Sequence, residues 1–567
     1  MDRNQESPNE IWRAGRRTRL LRLLAAAAGG AAFAGALPPL NWYYLAFAAP
    51  ALLVAAVIGT GWRFALLAGW IWGICWAFPA FRFLREIDPA VPFLMAPVLG
   101  VWTAVFAAPL PALWRDTVFP VEVELAGAEA KRKYLDSGKG FFRLLLFAAG
   151  TAALFTLLEW SRSRMLPWNE LGTTMWSRTD VIQLAAVTGS YGVSFLVAFT
   201  GAGIGCAFLT RFRGAGLRVL AAATGCFALI SLGGAISLLR VPEPQPPNWR
   251  PALLQGDLSQ RRNAVGPLAE EALDIYLDLT GRAIRLDPPP DIILWPESAV
   301  PVPFRAAHPT AARFRRAVAA AARESGIPLL IGAIDFTGDG RGMTNSAIHI
   351  DSAGRMVHKY DKIHRVPFGE YIPFRSYLPE FLVRRIDMNR DLTPGDNYDP
   401  VELKPGIRAG IAICFEGVFS YLTREFARRG ANVLVVLSND AWYPTSSEPE
   451  QHLANAVMRC VETRLPMVRC GNNGGSLLVT PQGSITQVLT VPGPEPRPEL
   501  RRGRGFGTVE LHVPADPGET FFVHFGEWFV LLLWILLAAW LLTAAEHRRR
   551  IRLYFHNLLK EKKDLLS

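Results

Sequence analysis

Apolar residues fill long unbroken stretches of this chain up to about residue 240. They then shorten into runs that alternate with amphipathic segments, and lengthen again once, near residues 525–544. A helix needs about 20 mostly apolar residues to cross the hydrocarbon core of a bilayer. The long stretches predict spans near 19–37, 41–59, 63–81, 92–114, 141–159, 189–210 and 217–239, with an eighth near 525–544. The run Pro242-Glu243-Pro244-Gln245-Pro246-Pro247 cannot continue a helix and marks the start of a second region. Within that region, strands are predicted at 251–256, 291–296, 328–334, 345–350, 408–414, 432–438, 466–471, 475–480 and 507–513. Helices are predicted at 267–284, 310–325, 419–429 and 450–464. Runs such as Val433-Leu434-Val435-Val436-Leu437 are continuous, as expected for strands covered on both faces.

These patterns divide the 567 residues into a cytoplasmic tail (1–18), a seven-helix membrane domain (19–240), a globular domain (241–522), a further transmembrane helix (523–546) and a basic tail (547–567). Composition agrees: 50% of residues are hydrophobic and only 19% charged, where soluble domains carry nearer a quarter. The first apolar stretch runs directly into others, so it is expected to be an uncleaved span and not a signal peptide. The net charge of +11 does not indicate nucleic acid. Its arginines and lysines cluster beside the apolar spans, at Arg13, Arg16, Arg17, Arg19 and Arg22 and again from Arg548 to Lys563. That clustering marks cytoplasmic flanks, so both termini are expected inside and residues 240–524 outside. Trp168, Asn169 and Trp176 are expected as interfacial anchors, and segment 372–392, which mixes apolar residues with Arg384 and Arg385, as an arm dipping into the interface. The charged stretch 115–140 reads as a long loop of unassigned role.

The six cysteines show no zinc-like spacing, and no metal or cofactor is expected. Cys460 and Cys470 fall on a helix and the next strand and are expected as separate buried thiols. Cys414 differs, because it ends a strand, as does Glu297, while Lys362 lies in a loop. A thiol attacks only as thiolate. A carboxylate within hydrogen-bond reach can take its proton, and an ammonium beside both stabilises the thiolate and any oxyanion that follows. The backbone N–H after the nucleophile can add a second donor. Singly, each residue says little, since a strand cysteine is more often core than catalyst.

The surrounding words say more. They are Trp295-Pro296-Glu297-Ser298, Lys362-Ile363-His364-Arg365-Val366-Pro367-Phe368-Gly369-Glu370, Cys414-Phe415-Glu416 and Ser438-Asn439-Asp440-Ala441-Trp442, with Gln255-Gly256-Asp257 and Gln451-His452. In this order they resemble the nitrilase superfamily. With seven spans before and one after, the chain from about 19 to 545 resembles the apolipoprotein N-acyltransferase family. The resemblance implies a multi-pass α-helical membrane domain joined to an α/β nitrilase-like αββα sandwich. It implies Glu297 as general base, Lys362 as oxyanion and thiolate stabiliser, Cys414 as nucleophile, Glu370 as a carboxylate orienting Lys362, and Glu416 and Phe415 as active-site support. For Glu416 a purely structural hydrogen-bonding role is an equal alternative. Two positions depart from the common pattern: Phe415 stands where tyrosine is frequent and Arg365 where leucine is.

The resemblance further implies a bacterial inner-membrane protein, expected as a monomer, with its catalytic domain in the periplasm. Its reaction would move an acyl chain from a phospholipid, such as phosphatidylethanolamine, through a Cys414 thioester to the α-amino group of a diacylglyceryl-cysteine at the N-terminus of an apolipoprotein. The rival expectations are a membrane-anchored nitrilase-type amidase, in which water takes the acyl group, and a non-enzymatic lipid-binding scaffold.

Overall fold

The structure, a computed structural model, describes residues 16–243, 245–259, 267–380, 383, 391–443, 446–491 and 503–564. Described residues up to Ser237 and from Glu527 onward form one compact unit, and Leu238–Gly526 forms another.

The first unit is helical. Among the described residues, seven helices are long and apolar enough to cross a membrane: Arg17–Ala36, Trp62–Ala80, Val91–Val118, Gly138–Ser163, Ser190–Leu209, Gly214–Leu239 and Trp528–Tyr554. The span expected at 41–59 is instead the 13-residue helix Leu45–Val57. At 1.5 Å per residue it covers about 20 Å, short of the roughly 30 Å hydrocarbon core. Its ends explain the length. Pro38, Pro39 and the left-handed Asn41 turn the chain before it, and Gly59, also at positive φ, follows an extended Ile58. The stretch 115–140 is helical for much of its length, with Val121–Leu125 and Ala128–Asp136 following the helix Leu110–Val118. Charged residues hid these elements, because a short polar helix carries no apolar stripe.

Trp168 and Asn169 are buried within this unit and are not surface anchors. The cause is a polar cluster that draws the segment inward. Arg162 donates to the carbonyls of Leu166 and Trp168 at 3.1 and 2.7 Å, and Glu170 accepts from Ser163 and Ser190 at 2.7 and 2.9 Å. Hydrogen-bonded side chains can be buried at little cost, whereas unpaired ones cannot.

The second unit holds two six-stranded sheets. In chain order its strands are β1 (Pro251–Gln255), β2 (Ile292–Val300), β3 (Leu329–Phe336), β4 (Met343–Ile350), β5 (Met356–Asp361), β6 (Val401–Lys404), β7 (Ile407–Ile413), β8 (Val433–Ser438), β9 (Met467–Gly471), β10 (Leu477–Val479), β11 (Ile485–Val488) and β12 (Gly505–Thr508). One sheet runs β12-β1-β2-β3-β4-β5 and the other β11-β10-β9-β8-β7-β6. Each has three parallel strands at its heart (β1, β2, β3 and β7, β8, β9) with antiparallel strands outside them. Helices Pro267–Ala283 and Pro309–Ser325 cover the first sheet, burying Tyr276, Leu279, Phe314 and Val318 against Ile293, Trp295 and Ile331. Helices Ser420–Arg428 and Glu448–Thr463 cover the second. The inner faces meet where the Cys470 thiol, from β9, approaches the carbonyls of Leu254 and Leu294 at 3.5 and 3.3 Å. This is the αββα sandwich of a nitrilase-type domain. Strands β7 to β9 are buried along almost their whole length, which is why β8 reads as an unbroken apolar run and why β7 and β9 are mostly apolar around Arg408 and Arg469. Cys460 and Cys470 are both buried and free. In the arm segment Phe374 and Tyr377 are exposed, while Phe381, Leu382, Arg384 and Arg385 lie outside the described residues.

In the helical unit, Gly150 lets the helix Gly138–Ser163 close on Trp540 of the last helix, because a Cβ there would overlap the indole ring. Trp540 is fully buried and stands edge-on to Phe147, with ring centroids 5.8 Å apart. Overpacking of this kind costs about 1–3 kcal/mol. Gly150→Val is therefore expected to lower the melting temperature of the detergent-solubilised protein, and to lower it far less in a Trp540→Leu background. Equal losses in both backgrounds would show that the contact is not limiting.

Candidate active site

Glu297 lies in β2 where the pairing with β3 slips between Trp295 and Val300. Ser298 there takes the left-handed backbone, φ 56°. The slip turns a carboxylate out of a strand that is otherwise apolar and buried. Gly332 on β3 permits it, since a Cβ at 332 would strike the Pro296 carbonyl and the Glu297 Cα.

Lys362 follows β5, its N–H held by the Asn345 carbonyl at 2.8 Å. Its ammonium is almost completely buried and lies 3.0 Å from Glu370 Oε1 and 3.4 Å from Glu297 Oε1. Between the two carboxylates stands Asn345 of β4. Its amide donates to Glu297 Oε1 at 2.7 Å and to Glu370 Oε1 at 2.9 Å. The other Glu370 oxygen accepts from the Val366 N–H at 2.7 Å. A side chain with two donors on one nitrogen suits this position, and it keeps two like charges at a shared ammonium.

Cys414 follows β7 in the left-handed conformation, φ 52°. A non-glycine residue there is strained by roughly 1–3 kcal/mol. Its thiol lies near enough to the Glu297 carboxylate and the Lys362 ammonium for both charges to act on it. The structure thus brings Glu297, Lys362, Cys414 and Glu370 into one place.

Glu416 is fully buried and faces away from the thiol into backbone donors. Oε1 accepts from the N–H groups of Ile363 and His364 at 2.7 and 2.9 Å, Oε2 accepts from Ile413 at 2.8 Å, and the Tyr360 hydroxyl lies 3.0 Å from both. It joins the Lys362 loop of one sheet to the Cys414 turn of the other. Phe415 packs edge-on to Phe419, with His364 close to the Phe419 ring at 3.6 Å between centroids. These rings wall one side of the site.

The electrostatics follow from burial and charge. Burial opposes the Lys362 charge, but Glu370 and Glu297 outweigh it and hold the ammonium above its ordinary pKa. Burial raises Glu297, as does the Glu370 charge, against Lys362 and the Asn345 hydrogen bond. Burial and the Glu297 charge push the Cys414 thiol well up, and Lys362 pulls the other way. Burial lifts Glu416 to about 7, against Lys362 and its three backbone donors.

Sequence reasoning did not single out Asn345. A lone asparagine within a strand buried on both faces has no motif around it to mark it. Asn439 and Asp440 stood in a quoted motif but had no assigned role. Among the described residues one group has metal-like clustering: donor atoms of Cys414, Asp440 and His452 lie within 4.8 Å of one another. Asp440 already holds the Arg469 guanidinium at 2.5 Å, so the cation paired with this cluster is an arginine.

Residues 29–203 match the family described as apolipoprotein N-acyltransferase N-terminal domain, and residues 255–490 match the carbon-nitrogen hydrolase family. An apolipoprotein N-acyltransferase of Geobacter metallireducens is 32% identical over 409 residues, covering 70% of this chain and 73% of that relative. One of Allorhizobium ampelinum is 30% identical over 484 residues, covering 82% and 87%. Among solved structures, an amidase from Nesterenkonia sp. is 18% identical with a TM-score of 0.34, covering 51% of this chain and 97% of that one.

The charge balance at the thiol is open to test without any substrate. Lys362→Met removes the ammonium that favours the Cys414 thiolate and leaves burial unchanged. Alkylation of Cys414 by iodoacetamide at pH 7 is expected to slow about tenfold or more, one pKa unit being a factor of ten in thiolate. An unchanged or faster rate would show that Lys362 does not act on the thiol.

Proposed function

Because this chain belongs to the apolipoprotein N-acyltransferase family, we propose that it carries a fatty acyl group from a membrane phospholipid to the N-terminal amine of a lipoprotein, using Cys414 as the temporary carrier. The chain is a multi-pass membrane acyltransferase with a nitrilase-type domain. The observation that carries the finer reading is the meeting of a thiol, a carboxylate and a buried ammonium at Cys414, Glu297 and Lys362.

In the first half-reaction Glu297 takes the thiol proton and the Cys414 sulfur attacks the ester carbonyl of the phospholipid. Lys362 stabilises the oxyanion of the tetrahedral intermediate. The C–O bond breaks, the proton passes to the leaving oxygen, and a lysophospholipid departs. In the second half, the α-amine of a diacylglyceryl-cysteine attacks the thioester. An N–C bond forms, Glu297 takes a proton from the attacking amine, the S–C bond breaks, and Glu297 passes that proton to the sulfur. A thioester is a more reactive acyl donor than an oxygen ester, so amide formation runs downhill. Two half-reactions on one nucleophile give ping-pong kinetics. Glu370 and Asn345 would hold Lys362 and Glu297 in register, and Glu416 would lock the two loops that carry Lys362 and Cys414.

We place residues 241–522 in the periplasm as the catalytic domain, with 19–240 and 523–546 in the inner membrane. What supports this orientation is the run of basic residues at the two ends of the membrane region, Arg16 to Arg22 and Arg548 to Lys563. Phosphatidylethanolamine is the proposed donor, and a single chain holds the full set of reactive groups. Exposed Phe368, Phe374 and Tyr377 follow Lys362 in the chain and suit contact with lipid.

The test is to incubate the purified protein with phosphatidylethanolamine and no acceptor. A mass increase of one acyl chain on the peptide containing Cys414 is expected, and it should disappear when a peptide with an N-terminal diacylglyceryl-cysteine is added. Full activity without any adduct would contradict the carrier role. Release of free fatty acid at a rate independent of acceptor would favour an amidase-like hydrolase.

A further inference from the structure

Behind the nucleophile lies a buried ionic chain that the proposed reaction leaves unused. His452, in the first turns of the helix Glu448–Thr463, reaches the Cys414 carbonyl with Nε2 at 3.0 Å. A carbonyl oxygen only accepts, so this ring nitrogen carries the proton. The other nitrogen, Nδ1, lies 3.1 Å from Asp440 Oδ1 and 3.4 Å from an Arg469 nitrogen. It therefore faces an acceptor if it bears a proton and a donor if it does not. Asp440 in turn accepts from Arg469 at 2.5 Å and from Ser438 at 2.9 Å. His452, Asp440 and Arg469 are each buried almost completely. Three ionisable side chains have been placed out of water to reach one backbone oxygen.

That oxygen belongs to the amide between Cys414 and Phe415. The amide is planar, and in the trans form its C=O and N–H point in opposite directions. Fixing the oxygen therefore fixes the direction of the Phe415 N–H. Cys414 is left-handed, a conformation that a non-glycine residue leaves unless its surroundings hold it. When a thiolate adds to an ester carbonyl, charge develops on the carbonyl oxygen beside the nucleophile. Donors already aimed at that point stabilise it without reorganising. Lys362 supplies one such donor in the reaction proposed above.

We infer that His452 is a positioning residue for the acyl-transfer step: held by Asp440 and Arg469, it clamps the Cys414 carbonyl so that the Phe415 N–H is aimed at the oxyanion as a second donor beside Lys362. The inference rests on the reading of Cys414 as the acyl carrier. It differs from a merely structural role in one chemical respect. Attack on an ester makes an oxyanion, while attack on iodoacetamide is a direct displacement: the S–C bond forms, iodide leaves, and no carbonyl oxygen gains charge.

The experiment compares these two reactions of Cys414 in the full-length, detergent-solubilised protein. The acyl probe is a p-nitrophenyl ester of a long-chain fatty acid, followed by the single-turnover release of p-nitrophenolate as the thioester forms. The alkylating probe is iodoacetamide. In His452→Ala, acylation is expected to fall about a hundredfold, the size of effect seen when one oxyanion donor is lost, while alkylation stays within about threefold of wild type by the same reasoning. His452→Gln can place an amide N–H where Nε2 stood. It is expected to recover about tenfold or more of the lost acylation, and it keeps the test open if the alanine variant folds poorly. Unchanged acylation in the two variants, or acylation and alkylation falling by the same factor, would overturn the inference. Wild-type protein that forms no acyl adduct on Cys414 would instead overturn the carrier reading on which it rests.

Discussion

A buried ammonium set between two carboxylates is the constraint around which the α/β unit is organised. Lys362 is out of water, and taking such a charge from water is costly unless opposite charge and good geometry meet it. Glu370 at 3.0 Å and Glu297 at 3.4 Å meet it. The two carboxylates would repel one another, and the Asn345 amide donates to both. One charge remains in excess on the acidic side. That excess is what a carboxylate needs if it is to receive the thiol proton of Cys414. Each member of the set thus depends on the others, and loss of one partner would leave an uncompensated buried charge.

The sheets exist in this arrangement, in functional terms, to bring those groups together from distant parts of the chain. Glu297 comes from a slipped β2, Asn345 from β4 and Lys362 from the loop after β5, all in one sheet, while Cys414 comes from the end of β7 in the other. Glu416 joins the two sides by accepting backbone N–H groups from both Ile363 and Ile413. Its chemistry is that of a fastener, because both of its oxygens meet fixed donors, three backbone N–H groups and the Tyr360 hydroxyl. Cys414 is strained and Glu297 sits on a bulge, so the rigid apolar strands around them absorb the distortion.

Much of this was legible in the residues. The inner strands β7, β8 and β9 and the four covering helices were evident from mostly apolar runs, unbroken in β8, and from amphipathic spacing. The motif words around Glu297, Lys362 and Cys414 pointed to the residues that the fold brings together. The edges were less legible. Strands β5 and β11 are partly exposed and neither unbroken nor strictly alternating, and β6 alternates over only four residues, too few to stand out. The helix Leu45–Val57 was read as a full span because apolar residues in a turn count the same as apolar residues in a helix. Trp168 was read as an anchor because a buried arginine that pulls a tryptophan inward leaves no mark in the local sequence. Asn345 and His452 act through geometry across strands and helices, which spacing along one chain does not encode.

The central claim is that the acyl group rests on Cys414 between a donor and an acceptor. It is tested most directly by acyl exchange in the absence of any amine. Purified protein is mixed with phosphatidylethanolamine and an isotopically labelled lysophosphatidylethanolamine. If a thioester forms and reverses, label enters the intact phospholipid, and Cys414→Ser abolishes or sharply slows the exchange. Active enzyme that transfers acyl chains to a lipopeptide yet exchanges no label, under conditions where added lysophospholipid is known to reach the protein, would contradict it.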